Sequence, residues 1–198
     1  LDCLRNKGDN YFKYDINNSK DIPNKPFCYW FSNSLIGLFK IQNYKLSQGG
    51  VKQGLATADN NRFIRNHWEV NLGKKWHKSL VEAGSTRYYT RIDCCVHWDN
   101  LGREIKNFID DKGVLRSHVR GEINYYNYGI SFPKRSSHFR PQIISEGIIY
   151  SNGRFLAISN SKEEVILSTA IWNTDFFDYL IKLSVGNIEG VQFENGLI

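Results

Sequence analysis

Methionine is absent from all 198 residues, and the chain begins at Leu1. A complete translation product starts with methionine, so the sequence reads as a piece of a longer polypeptide. No secretory signal precedes Asp2, and no apolar run approaches the roughly 20 residues that cross a bilayer. The longest apolar stretch, Phe27 to Phe39, is broken by Ser32, Asn33 and Ser34. The chain therefore reads as soluble and intracellular. Cysteine is scarce, with four in the chain, too few and too scattered for a disulfide scaffold of this size. Cys94 and Cys95 are adjacent and cannot bridge each other. On a strand, Cys95 and His97 share a face while Cys94 points the other way. No further ligands stand at zinc spacing, so buried free thiols are the expectation and no metal is. Proline is equally sparse: Pro23, Pro26, Pro133 and Pro141, none adjacent to another.

What is abundant is aromatic and basic. Aromatics make up 14% of the chain, with 11 Tyr, 12 Phe and 5 Trp. Lysine and arginine exceed the acids by 26 to 20, for a net charge of +6 and a pI near 9.1. That balance is compatible with a polyanionic partner without requiring one. Hydrophobic content of 41% and charged content of 23% are those of an ordinary globular domain, and the length suffices for a real core.

Residues 1–25 are polar and rich in Asn, Lys and Asp, and read as a linker or edge segment; 26–198 read as one domain. The spacing of Phe27, Trp30, Phe31, Leu35 and Leu38 predicts a short helix with these side chains in the core. Thr57 to Asn61 predicts a turn, because Asp and Asn bond their own backbone. Ile92 to Trp98 predicts a strand closed by a turn at Asp99–Gly102, with a short helix over Arg103 to Ile109. Asp110-Asp111-Lys112-Gly113 is better read as a solvated loop than as a metal site. Asn152-Gly153 is the strongest hairpin signal in the chain, with Gly147–Tyr150 and Arg154–Ser159 as its strands. Ser161 and Glu164 form a capping-box pattern opening two helices broken near Asn173. Short strands with few helices predict an α+β fold: a twisted or curled, mainly antiparallel sheet with flanking helices.

Two segments interleave cations with rings or hydroxyls, as a phosphate-rich partner requires. The first, Gly49 to Val70, carries Lys52, Asn60, Arg62 and Arg65 beside Phe63, His67 and Trp68. The second places Lys134, Arg135, Ser136, Ser137 and Arg140 on a loop bounded by Pro133 and Pro141. Arginine and lysine neutralise phosphates, and arginine also reads guanine. Arg87, Arg91, Arg116 and Arg120 are further candidates for backbone phosphates. From composition alone, a solvated basic turn explains the Lys134–Arg140 loop equally well.

The order of these elements resembles the target-recognition domain of N6-adenine DNA methyltransferases, of the large kind found in phage-defence (BREX) systems and fused restriction-modification enzymes. That family reads G-L-x-T-G-D-N, then R-F-x-R and W-E-V. Here the matching residues are Gly54-Leu55-Ala56-Thr57-Ala58-Asp59-Asn60, Arg62-Phe63-Ile64-Arg65 and Trp68-Glu69-Val70, with Ala58 where the family has glycine. Lys75-Trp76, Arg87-Tyr88-Tyr89, Val96-His97-Trp98, Gly102-Arg103-Glu104-Ile105, Arg116-Ser117, Gly129-Ile130-Ser131-Phe132 and the stretch Ala170–Leu183 follow in the family's order. The resemblance implies a prokaryotic, cytoplasmic enzyme whose catalytic domain binds S-adenosylmethionine, with duplex DNA as partner of this segment. No G-x-G-x-x-G or P-loop occurs, nor an Asn/Asp-Pro-Pro-aromatic motif, so the segment is expected to read DNA rather than to catalyse by itself. Two rivals stand beside this reading. One is an interaction module whose basic face docks a catalytic or inhibitory protein; the other is a self-contained, metal-dependent nuclease.

Overall fold

Gly129–Pro133 (β5) is buried at every position, the mark of a strand covered on both faces. It pairs antiparallel with Arg154–Ile158 (β9) and Gln142–Ile144 (β7), and Lys52–Gln53 (β1) adds to the far side of β9. The resulting order is β1-β9-β5-β7. A second four-stranded sheet, β2-β4-β3-β8, joins Ile64–Asn66 (β2), Trp76–Leu80 (β3), Cys94–His97 (β4) and Ile149–Tyr150 (β8). Within it only the β3–β8 pair is parallel. In the computed structural model, residues 13–22, 25, 27, 29–39, 50–81, 86–185 and 191–193 are described. The α+β architecture anticipated from the sequence is present, with the strands divided between two open sheets rather than held in one.

Alternation along β9 explains the layering. Leu156 turns toward the second sheet, into a core with Phe63, Leu80, Val96, Trp98, Ile105, Tyr150 and their neighbours. Phe155 turns the other way and joins Ile130, Phe132, Phe139, Val165, Trp172, Ile181 and Phe193 under the helices Lys162–Trp172 (α4) and Asp175–Val185 (α5). Asn173 ends the first of these helices, as expected. Ser161 caps it by accepting from Glu164 N–H at 3.1 Å. The Glu164 carboxylate accepts from the Ser159 hydroxyl, which in turn accepts from Ser161 N–H at 3.1 Å. A third cluster packs Ile22, Phe31 and Ile36 against Leu183.

Three expectations are corrected. The helix over Phe27 to Phe39 shrinks to Asn33–Leu38 (α1), because the Ser32 hydroxyl accepts from Leu35 N–H and starts it there. Phe27, Trp30 and Leu38 lie at the surface, at 65%, 51% and 42% exposure, leaving Phe31 as the buried member of that aromatic run. The Asn152-Gly153 turn exists, but it does not close a hairpin. β8 pairs with β3 and β9 with β5, so the turn carries the chain from one sheet to the other. The Asn152 N–H donates to Leu55 O at 2.8 Å rather than across to the next strand. Finally, the basic loop after Pro133 contains a strand: Arg135–Ser136 (β6) pairs antiparallel with Val191–Gln192 (β10).

At the Asp-Asn-Asn segment, Asp59 accepts from Arg62 N–H at 3.0 Å and caps one helical turn, Asn60–Phe63 (α2). Ala58 leads into it at φ 64°, the left-handed region that costs a Cβ-bearing residue about 1–2 kcal/mol. Glycine there removes that strain and loses part of the gain to unfolded-state entropy. Ala58→Gly is therefore expected to stabilise the chain by about 0.5–1 kcal/mol, read as a rise in thermal midpoint; an unchanged or lower midpoint would contradict it.

Candidate nucleic-acid interface

Cross-strand register sets the two faces of the second sheet. Ile64 pairs with Val96, and both belong to the core side. Arg65 pairs with Cys95, Lys78 with Cys95, and Trp76 with His97, so these residues occupy the opposite, outward face. Cys95 and His97 share a face, as the strand reading required. Cys95 is fully buried beneath its neighbours. Burial, and then Cys94, push its thiol pKa up against the smaller pull of Lys78. Among the described residues no cluster of His, Cys, Asp and Glu offers a metal site.

On this outward face the cations are seated on rings. The Arg65 guanidinium lies 6.0 Å from the Trp76 ring, and its Nη1 donates to the Asn61 and Ile64 carbonyls at 2.5 and 2.7 Å. Trp76 meets His97 at 5.1 Å between ring centres. His97 Nδ1 lies 3.2 Å from Glu104, whose other oxygen takes Arg62 at 2.5 Å. Arg62 in turn lies 5.2 Å over both Phe63 and Phe108. The chain of contacts Arg65–Trp76–His97–Glu104–Arg62–Phe108 thus fixes the ridge. Beside it opens a cleft of about 560 Å³ lined by Arg62, Asn100, Arg103 and Asn107 among others.

The wall of that cleft is the helix Asp99–Lys106 (α3), which begins with an unusual left-handed turn. Asn100, Leu101 and Gly102 lie at φ 47°, 57° and 71°. A side chain at Gly102 would strike the Trp98 ring, so this turn wraps closely over the tryptophan. The turn presents Arg103 at the surface. The side chains of Arg103, Lys74, Lys75 and Lys78 have no ion-pair or hydrogen-bond partner among the described residues. Trp68 is 67% exposed and packs edge-on against His67.

The residues singled out from the sequence scatter over several places. Arg62 and Arg65 lie on the ridge, and Asn60 beside them accepts from the Thr57 hydroxyl at 2.6 Å. Arg87 pairs with Asp175, and Arg91 lies 3.4 Å from Asp93. Arg116 reaches Asp110 at 3.7 Å, and Arg120 donates to Gln53 at 2.7 Å next to the exposed Lys52. The second basic run is fastened to the helices and β10. Arg135 donates to Gln192 at 3.0 and 3.1 Å, and the Ser136 hydroxyl accepts from His138 N–H at 3.4 Å. His138, Lys182 and the Phe139 N–H converge on Asp178 at 2.9, 2.8 and 2.5 Å. Burial alone would raise the Asp178 carboxyl; these hydrogen bonds, Lys182 and His138 foremost, hold it below the usual carboxylate range. Arg140 is half buried, with its Nε inside the fold, while Lys134 and Ser137 lie between and beside these anchors. Lys74, Lys75, Lys78, Trp76, His97 and Arg103 were not among the candidate DNA-contact residues read from the sequence. The available signal was the period-two placement of Trp76 and Lys78 opposite His97 and Cys95.

No protein-family model matches the chain. Over 201 aligned residues, which take in 92% of it, the chain is 22% identical to the adenine-specific methyltransferase PglX of Lacticaseibacillus casei (strain Zhang). It spans 17% of that protein's length. No described helix is long and apolar enough to cross a membrane.

Proposed function

We propose that this chain is the target-recognition part of an adenine-specific DNA methyltransferase of a phage-defence or restriction-modification system, and that it reads duplex DNA. The observation that carries the reading is the outward face of the second sheet. Arg62 and Arg65 rest on rings, Arg62 also pairing with Glu104, while the side chains of Lys74, Lys75, Lys78 and Arg103 have no partner among the described residues, and both kinds suit a phosphate backbone. Arg62, Arg65, Lys74, Lys75, Lys78 and Arg103 supply the positive charge. Asn100, Asn107 and Arg103, beside the cleft, are the side chains suited to base edges. The distant similarity to the adenine-specific methyltransferase, which extends well beyond this segment, supports the same reading.

S-adenosylmethionine belongs, in this reading, to the parent enzyme. No glycine-rich loop or paired proline offers it a cradle here. No residue of this chain is assigned to it, and catalysis is left to the remainder of the enzyme.

The test is binding of the chain to random-sequence duplex at roughly 50 and 200 mM salt. Lys74→Ala/Lys75→Ala/Arg103→Ala is expected to lower the salt slope by up to about three and weaken binding at least tenfold. Lys134→Ala/Arg135→Ala/Arg140→Ala serves as the comparison for the second basic run. Salt-insensitive binding, or binding unaffected by the first triple variant, would remove this face from the interface. A second reading, a protein-docking module, draws on the uncovered apolar side of α4 and α5, where Ile166, Leu167, Ile171, Phe176 and Tyr179 are exposed. Salt-insensitive capture of an acidic partner protein in place of DNA would favour it.

A further inference from the structure

A second cleft, also of about 560 Å³, is lined by Lys78 of β3, residues 88–93 leading into β4, and the edge strand β7 with its neighbours. Its volume falls within the ~300–1,000 Å³ of small-molecule sites. Tyr88, Tyr89 and Tyr128 supply its rings, Ile143 part of its floor, and Lys78 and Arg91 its cations, with Asp93, 3.4 Å from Arg91, also in the lining. Lys78 belongs at the same time to the outward face of the second sheet, so the cleft is continuous with the proposed duplex-binding surface.

The tyrosines are uncovered but their backbone is fastened. Tyr88 and Tyr89 are 52% and 67% exposed. Tyr88 N–H donates to Pro141 O at 3.2 Å, and its carbonyl accepts from Ile143 N–H at 2.9 Å. The Thr86 hydroxyl donates to Tyr89 O at 2.6 Å, and Gln142 Nε2 donates to Thr86 O at 2.5 Å. Gln142 is itself held at 2.5 Å by the buried Arg154. This scaffold keeps Tyr88 at φ 65°, a left-handed conformation that a tyrosine adopts only when its surroundings impose it. Rings presented on a backbone already ordered lose little entropy on stacking.

Rings combined with cations define the ligand. An apolar side chain or acyl chain would use the rings and leave Lys78 and Arg91 without a role, whereas a nucleotide uses both. We propose that this cleft takes one nucleobase unstacked from the bound DNA, its ring against Tyr88 and Tyr89 and its flanking phosphate toward Lys78 and Arg91. The inference rests on the duplex-binding reading above. Stacking on aromatic side chains is sequence-tolerant, so the cleft accepts a displaced base whatever its identity. Such a base arises whenever a pair is opened for chemistry on its partner.

The experiment compares two probes with the 198-residue chain: a fully paired duplex, and the same duplex with one unpaired adenine bulge. The expected result is a preference for the bulged probe of about 5- to 100-fold, the range of stacking contributions per base. That preference should collapse toward unity in Tyr88→Ala and in Tyr89→Ala, survive in Tyr88→Phe, and leave affinity for the paired duplex within about two-fold. Tyr89 has no left-handed backbone, so its variant guards against misfolding of the first. Paired-duplex binding with no bulge preference, or with a preference that both alanine variants retain, overturns the cleft as a base site and leaves duplex recognition standing. Absence of binding to either probe overturns both.

Discussion

Gly54→Ala is expected to cost more than about 4 kcal/mol and to leave little folded protein at ambient temperature, the range reserved for substitutions that break a core contact outright. The reason is space rather than backbone freedom. A Cβ at this position would lie well inside 3.0 Å of the Tyr150 and Ser151 carbonyls and the Tyr150 ring. Those carbonyls cannot turn away. Tyr150 O accepts from Leu55 N–H at 2.9 Å, Gly54 N–H donates to Arg154 O at 3.2 Å, and the Tyr150 ring is fully buried. Moving them would pry β1 and the following residues off the junction between the two sheets. Gly37→Ala is the control: nothing lies within 4 Å of its built Cβ, it sits inside α1, and alanine there should stabilise by roughly 0.5–1 kcal/mol. Urea titrations of the two variants would check the pair. A Gly54→Ala chain with near-normal stability would mean that the close approach relaxes without consequence.

Loss of the Arg154 side chain is expected to be the next most severe change. Arg154 is fully buried and lies on the same face of its sheet as Ser131 and Gln142, through the pairings of β5 with β9 and β7. Its Nε donates to the Ser131 hydroxyl at 2.8 Å, and its Nη2 to Gln142 Oε1 at 2.5 Å and Ser131 O at 3.3 Å. Burial pushes the guanidinium down to about 9, so it remains charged at neutral pH. Because the folded value lies below the unfolded one, the unfolded chain binds the proton more tightly. The resulting penalty is constant at neutral pH and eases only as pH rises above about 9. Arg154→Ala leaves a cavity and orphans buried acceptors, for a loss of about 3–5 kcal/mol and roughly 10–15 °C in thermal midpoint. Arg154→Met, which fills the volume, should lose less. Equal losses in the two variants would show that the hydrogen bonds, and not the packing, set the cost. A negligible loss in both would deny the network any structural role. The consequence should reach Tyr88 and Tyr89, since Gln142 hands the network on to Thr86.

Much of the local architecture was legible before any contact was known. The self-bonded turn at Asp59, which here opens one helical turn, Asn173 as a break between helices and Ser161 as a helix start depend on bonds spanning one to four residues, which a sequence records directly. The shared face of Cys95 and His97 follows from the two-residue period of a strand. The Asp110–Gly113 loop closes on itself through Asp110, which accepts from Lys112 and Val114 N–H at 2.9 Å. The Phe27–Phe39 helix was misjudged because spacing alone gives an apolar side without saying what covers it. Ser32 decided the start, and Phe27 and Trp30 were left at the surface.

The sequence by itself determined the elements and their periods: short strands, capped helices, a basic and aromatic surface, and a composition suited to a polyanion. The tertiary structure alone decided the pairings between distant segments. Asn152-Gly153 signals a hairpin locally, yet β8 gains more by joining β3 than by folding back on β9, and the turn becomes a bridge between sheets. Nothing local marks Arg154 as buried; Ser131 and Gln142, 23 and 12 residues away, hold it there. In the first basic run Arg62 is paired with Glu104, 42 residues on, and in the second Arg135 is tied to Gln192, 57 residues on. A charge counts for binding only where the fold has not already neutralised it, and that depends on partners far along the chain.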